Sequence, residues 1–157
     1  MKVAIIHDWL QKPAGAERVL EQITKQVNKL IDVLKITDLT EAGNIKVARD
    51  ILHMRPQPDA VFCMIDPVAV DVLTEWKSQG IRIPEDIALA GFTNNPTSAV
   101  VEPPLTTVAQ PGYEMGKLAV SHLLDQLDGI ASEDPISIVL ETTLVPRKSS
   151  QHFEVKE

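Results

Sequence analysis

The chain has 157 residues and one cysteine, Cys63. It can form no internal disulfide and suits a reducing compartment, consistent with a cytoplasmic protein. Aromatic side chains are scarce, at two Trp, one Tyr and three Phe, so aliphatic residues must fill the core. Basic runs are absent, and 22 acidic against 15 basic residues give a net charge of −7. That balance argues against a broad basic face for nucleic acid. No apolar stretch approaches the roughly 20 residues that span a bilayer. The apolar VAII near the start is too short for the heart of a secretory signal. His53 and His152 have no partners at metal-ligand spacing, and neither a metal nor a cofactor is expected.

What is present is a 44% hydrophobic content, enough for one domain with a real core. Residues 58–110 organise it. Three short apolar runs, at 60–64, 87–92 and 105–109, read as buried strands bounded by Pro, Asp, Asn and Gly. Between the first two lies an amphipathic helix with Val68, Ala69, Val72, Leu73 and Trp76 on one face. Asp66 reads as its N-cap, Pro67 as its first residue, and Gly80 as the residue that closes it. A strand, helix and strand joined this tightly form a parallel βαβ unit.

The remaining segments repeat that alternation. Residues 2–7 and 33–37 read as strands, separated by a helix over about 16–29. A second helix starts at 40–44, with Ile45, Ala48, Ile51 and Leu52 as its apolar face. Pro111 opens a last long helix that Gly129 ends; Met115, Leu118, Ala119, His122, Leu123 and Leu127 are expected to be its buried face. His122 should be a packed histidine. Residues 136–144 form a final strand of open direction, and the chain from Arg147 onward reads as polar and frayed. The expected fold is α/β: a doubly wound, three-layer α/β/α sandwich around a mainly parallel sheet of order 2-1-3-4-5 plus an edge strand, flavodoxin-like in outline. Residues 1–150 make one domain and 151–157 a tail.

Several motifs occur in a telling order: P-D-A-V-F-C, then D-x-x-A-V, then G-I-R-I-P-E-D-I-A-L-A-G-F, then P-P-L-T-T-V-x-Q-P-x-x-x-M-G, and finally L-V-P-R-K-S-S. Together they resemble the effector-binding domain of lac-repressor-type transcription regulators, from about Leu39 to Ser150. The resemblance implies one lobe of a periplasmic-binding-protein-like fold, a small-molecule effector such as a sugar or purine, no enzymatic activity and association as a homodimer. It also implies that the segment 107–127 crosses towards a second lobe. No helix-turn-helix precedes residue 1, so no direct DNA contact by this chain is expected. Residues 1–23, with H-D-W followed by G-A-E-R-V-L, resemble instead the start of family-4-type glycosyltransferases. A chimera accounts for both likenesses; a glycosyltransferase-like fragment and an inactive flavodoxin-like scaffold are the alternatives.

In open α/β sheets ligands bind at the carboxyl ends of the strands. Those ends supply His7, Asp8, Asp38, Asp66, Thr93 and Asn94, whose polar groups suit the hydroxyls of a sugar. Local roles compete for them. Asp38 can open a turn, Asp66 can cap a helix, and Asn94 with Asn95 can serve the turn before Pro96. In regulators of this type the position after G-F is commonly an effector-binding Asp; here it is Thr93. The residue before the strand-end Asp is commonly Asn or Ser; here it is Ile65. His7 and Asp8 are adjacent at a strand end, point in opposite directions and form no catalytic dyad. No catalytic residue is expected.

Overall fold

A computed structural model describes residues 3–7, 31–35, 40–130 and 136–151, the first two spans as backbone only. Strands β1 (Val3–His7), β2 (Ile31–Lys35), β3 (Ala60–Cys63) and β4 (Ala88–Ala90) pair in parallel in the order β2-β1-β3-β4. In register, Ile5 of β1 lies between Val33 and Phe62, and Val61 of β3 lies beside Leu89. β5 (Thr107–Ala109) continues the sheet next to β4. One parallel bridge, Ala90 to Thr106, joins them. Backbone N–H bonds from Gly91 to Thr106 (2.8 Å) and from Thr93 to Val108 (3.0 Å) extend it. The order is thus the expected 2-1-3-4-5. The last strand, β6 (Thr143–Val145), runs antiparallel to β5, which settles its direction. It is much shorter than the expected 136–144, because residues 136–142 pair with no strand.

Helices α1 (Glu41–His53) and α2 (Asp66–Ser78) pack on each other over one face of β3 and β4. Alternation along β3 turns Val61 and Cys63 into this layer and leaves Ala60 and Phe62 on the other face. Ala48, Ile51, Val61, Cys63, Val72, Trp76 and Leu89 form a continuous buried cluster. Burial of each large aliphatic side chain there contributes about 1.5–3 kcal/mol. The Trp76 indole N–H donates to the Ala48 carbonyl at 2.9 Å, so the largest buried ring leaves no unpaired donor. At the rim of the same interface Arg49 meets Glu75 at 2.7 Å and holds its carboxyl below the usual range. Burial, with the Asp66 charge second, pushes the Cys63 thiol far above its usual range, so Cys63 acts as an inert core residue.

Helix ends follow the expected chemistry where it is purely local. The Thr40 hydroxyl caps α1 by accepting the Gly43 N–H at 3.1 Å. α2 closes into Gly80 at φ +77°, and the third helix, α3 (Gly112–Leu127), closes into Gly129 at φ +71°. The helix expected over 16–29 lies outside the described residues.

Three expectations are overturned. Asp66 is not an N-cap: α2 begins at Asp66 itself, Ile65 stands in the cap position, and the Asp66 carboxylate bonds elsewhere. The apolar face of α3 is not buried: no α3 residue is buried, and Met115, Leu118, Leu123 and Leu127 are all exposed. His122 on that helix is correspondingly half-buried instead of packed. Finally, the chain from Arg147 does not fray at once. Lys148–Ser150 forms a short 3-10 turn with Ser149 fully buried, held because its hydroxyl donates to the Leu89 carbonyl (2.6 Å) and accepts from the Thr106 N–H (2.8 Å). Residues 152–157 lie outside the described residues.

Candidate functional site

The carboxyl ends of β3 and β4 and the start of β5 meet around one carboxylate. Asp66, fully buried, follows the end of β3. Its backbone N–H donates to the Phe92 carbonyl at 3.0 Å, which ties α2 to the segment leaving β4. Its Oδ1 accepts the Thr107 hydroxyl at 2.7 Å. Its Oδ2 accepts both the Asn95 N–H and the Ser98 hydroxyl, each at 2.7 Å. Three neutral donors thus offset the desolvation of a carboxylate that has no cation against it among the described residues. The approach is close enough to require Gly91: a Cβ there would collide with Asp66 Oδ1 and crowd Leu105.

This clamp fixes the turn that follows β4. Thr93 has φ 117° and Asn94 φ 51°, two successive residues in the left-handed half of the map. For a β-branched residue such as Thr93 that conformation is strained, by about 1–3 kcal/mol, and persists only where the surroundings impose it. Here they do so by four bonds. Thr93 N–H donates to Val108, Asn94 N–H to the Thr107 hydroxyl at 3.2 Å, Asn95 N–H to Asp66, and the Asn94 side-chain oxygen accepts from Arg147 at 2.9 Å. The result presents Thr93 and Asn94, both half-buried, at the strand-end edge.

Of the six residues singled out in the sequence, Asp66, Thr93 and Asn94 therefore converge. Asp66 faces inward, supports the turn and offers nothing to solvent. The backbone of His7 ends β1 opposite Lys35, one position beyond the Ile6–Cys63 pair, so it lies on the same edge. Its side chain, and Asp8 and Asp38 altogether, lie outside the described residues. Sequence reasoning missed Ser98, Thr106, Thr107, Arg147 and Ser149. The T-T pair of P-P-L-T-T-V was the available signal, since two adjacent hydroxyls on a buried strand must both find partners. Thr107 turns to Asp66. Thr106 turns the other way, donating to the Arg147 carbonyl (2.8 Å), accepting the Arg147 N–H (2.7 Å) and meeting the Ser150 hydroxyl (2.7 Å).

Residues 14–150 match the family of the periplasmic binding protein-like domain. The chain belongs to that family. Its relatives include the transcriptional repressor CytR of Escherichia coli, 41% identical over 92 residues, which are 59% of this chain and 27% of the repressor. The repressor PurR of Vibrio atlanticus is 33% identical over 135 residues, 80% of this chain and 39% of the repressor. Among solved structures, the regulator CelR in complex with cellobiose superposes with a TM-score of 0.79 at 29% identity, over 95% of this chain and 46% of that one. The chain thus spans less than half the length of each of these regulators.

Proposed function

We propose that this chain is the effector-sensing lobe of a lac-repressor-type regulator, taking a sugar- or purine-like ligand at the edge formed by Thr93 and Asn94. The observation that carries the reading is the strained turn itself. Strain of this kind is retained where a fixed geometry matters, and here a buried carboxylate and an arginine fix two half-buried polar residues at the place where open α/β sheets take ligands. CelR, a relative in fold and sequence, is captured with cellobiose. The relatives are transcriptional repressors, and the lobe is read as a binding module without turnover of its own, acting in the cytoplasm and touching no DNA directly. No helix among the described residues is long and apolar enough to cross a membrane. The H-D-W signal, which precedes the matched residues 14–150, is read as a trace of separate origin, making the chain a chimera; G-A-E-R-V-L lies inside the match.

The same reading assigns α3 to an interface. Val120, Leu123, Leu124 and Leu127 leave an exposed apolar stripe on a helix that has no buried residue, and self-association as a homodimer would cover it. Thermal-shift measurements with neutral sugars, purine nucleosides and nucleotide-sugars test the ligand class. A saturable rise in Tm with a sugar or purine is expected; a rise with nucleotide-sugars alone would replace the reading with the glycosyltransferase one.

A further inference from the structure

The described side chains at the strand-end edge are donors with few free acceptors. Asp66 is shut away with both oxygens occupied. Asn94 spends its oxygen on Arg147, which leaves its amide N–H groups as the free end. Arg147 gives Nη1 to the Leu105 carbonyl (2.7 Å) and Nη2 to Asn94 (2.9 Å). A guanidinium has five N–H donors in a planar fork, so most of its donors remain unspent. None of the described carboxylates pairs with it. It is also half-buried, where a cation is only partly hydrated and gains more from an anion than it would in bulk water.

We propose that the ligand of this edge carries an oxyanion, a carboxylate or a phosphate, held by the unspent face of Arg147 and the Asn94 amide. The inference rests on the effector-site reading above and narrows it. A neutral sugar hydroxyl both donates and accepts, and is best held by a mixed set that includes a free carboxylate. An oxyanion only accepts, and matches the Arg147 guanidinium and the Asn94 amide, whose free groups only donate. The guanidinium fork is the side chain best suited to that geometry.

The test is titration calorimetry with matched pairs at fixed ionic strength: glucose against glucuronate, and ribose against ribose 5-phosphate. The anionic member of at least one pair is expected to bind roughly tenfold or more tightly than its neutral partner, with affinity that falls as salt rises. Which pair responds separates a carboxylate from a phosphate. Asn94→Asp is the decisive variant. It places a carboxylate on Arg147, strengthening the contact that holds the turn while occupying the fork. Its Tm without ligand should equal or exceed the parent's, and the preference for the anion should vanish. Neutral sugars binding as well as or better than their anionic partners would overturn the inference and leave the effector-lobe reading standing. An anion preference unchanged in Asn94→Asp would overturn it as well. No binding by any of the four ligands, nor by purine nucleosides, would overturn both.

Discussion

The Thr107 hydroxyl donates to Asp66 Oδ1 at 2.7 Å across 41 positions of sequence, wholly out of solvent. That bond joins the end of β3 to the start of β5. It also places the Thr107 oxygen to accept the Asn94 N–H. The strand-end turn is therefore built on a buried polar node, and the node can be dismantled one contact at a time.

Removing the carboxylate should be costly, but removing only its charge should not. Asp66→Ala strands the Asn95 N–H and two hydroxyls in a dry site and should lower stability by about 3 kcal/mol or more. Asp66→Asn keeps one oxygen for Asn95 and Ser98, while the Thr107 hydroxyl can rotate to accept from the new amide. Its cost should stay near 1 kcal/mol. Chemical denaturation midpoints check the ranking, and equal losses would show that the charge itself matters.

Gly91→Ala should destabilise by about 1–3 kcal/mol, because a single methyl meets the Asp66 carboxylate and the Leu105 side chain. Gly80→Ala is the contrast. Space is open around Gly80, but its φ of +77° penalises any Cβ, by roughly 1 kcal/mol. Only the Gly91 variant should also disturb the Thr93–Asn94 amide resonances in NMR spectra.

Leucines on α3 and in the core should respond very differently. Leu89→Ala removes a fully buried side chain and should cost about 2–5 kcal/mol. Leu123→Ala, at 54% exposure, should stay within about 0.5 kcal/mol in dilute protein. If α3 forms the homodimer contact, Leu123→Glu or Leu127→Glu should shift light-scattering mass at tens of micromolar from a dimer to a monomer without unfolding. A monomer at every concentration would refute that interface.

Acid should weaken the turn before β4. Two side-chain hydrogen bonds from Arg82, with a third from its backbone N–H, hold the Asp86 carboxyl at about 2. An unfolded Asp titrates near about 3.9. The folded value is the lower one, so the contribution is fully present above the unfolded value and is lost as pH falls towards 2. Asp86→Asn should flatten the stability profile between about pH 4 and 2 and leave its shape unchanged above pH 5. Because the pair is solvent-exposed, the effect should be small and should shrink with salt.

Local signals in the sequence were reliable wherever local chemistry decides the outcome. Thr40, Gly80 and Gly129 cap as their types require, and the alternation of apolar runs gave the strand order. Failures came where distant residues outbid near ones. Asp66 beside Pro67 reads as a cap, but donors at 95, 98 and 107 claim its oxygens. Arg147–Ser150 reads as a polar end, but Thr106 and Leu89, some forty and sixty residues away, bury Ser149. The period of α3 shows that an apolar face exists, yet periodicity carries no information about what covers it. For the candidate site, the strand-end rule named Asp66, Thr93 and Asn94, which the structure brings together at one edge. The rule could not assign Asp66 to the inside, which depends on donors brought from 95, 98 and 107, or bring Arg147 to Asn94, which depends on how β6 returns beside β5.

The central claim is that ligand is sensed at the turn after β4. Amide chemical-shift mapping on labelled protein, titrated with the sugar or purine that raises Tm most, tests it directly. The expected result is a saturable set of shifts centred on Thr93, Asn94 and Asn95, with Asp66 and Thr107 following through their shared bonds. Shifts confined to α3, or to residues 136–145, with none at 93–95, would contradict it.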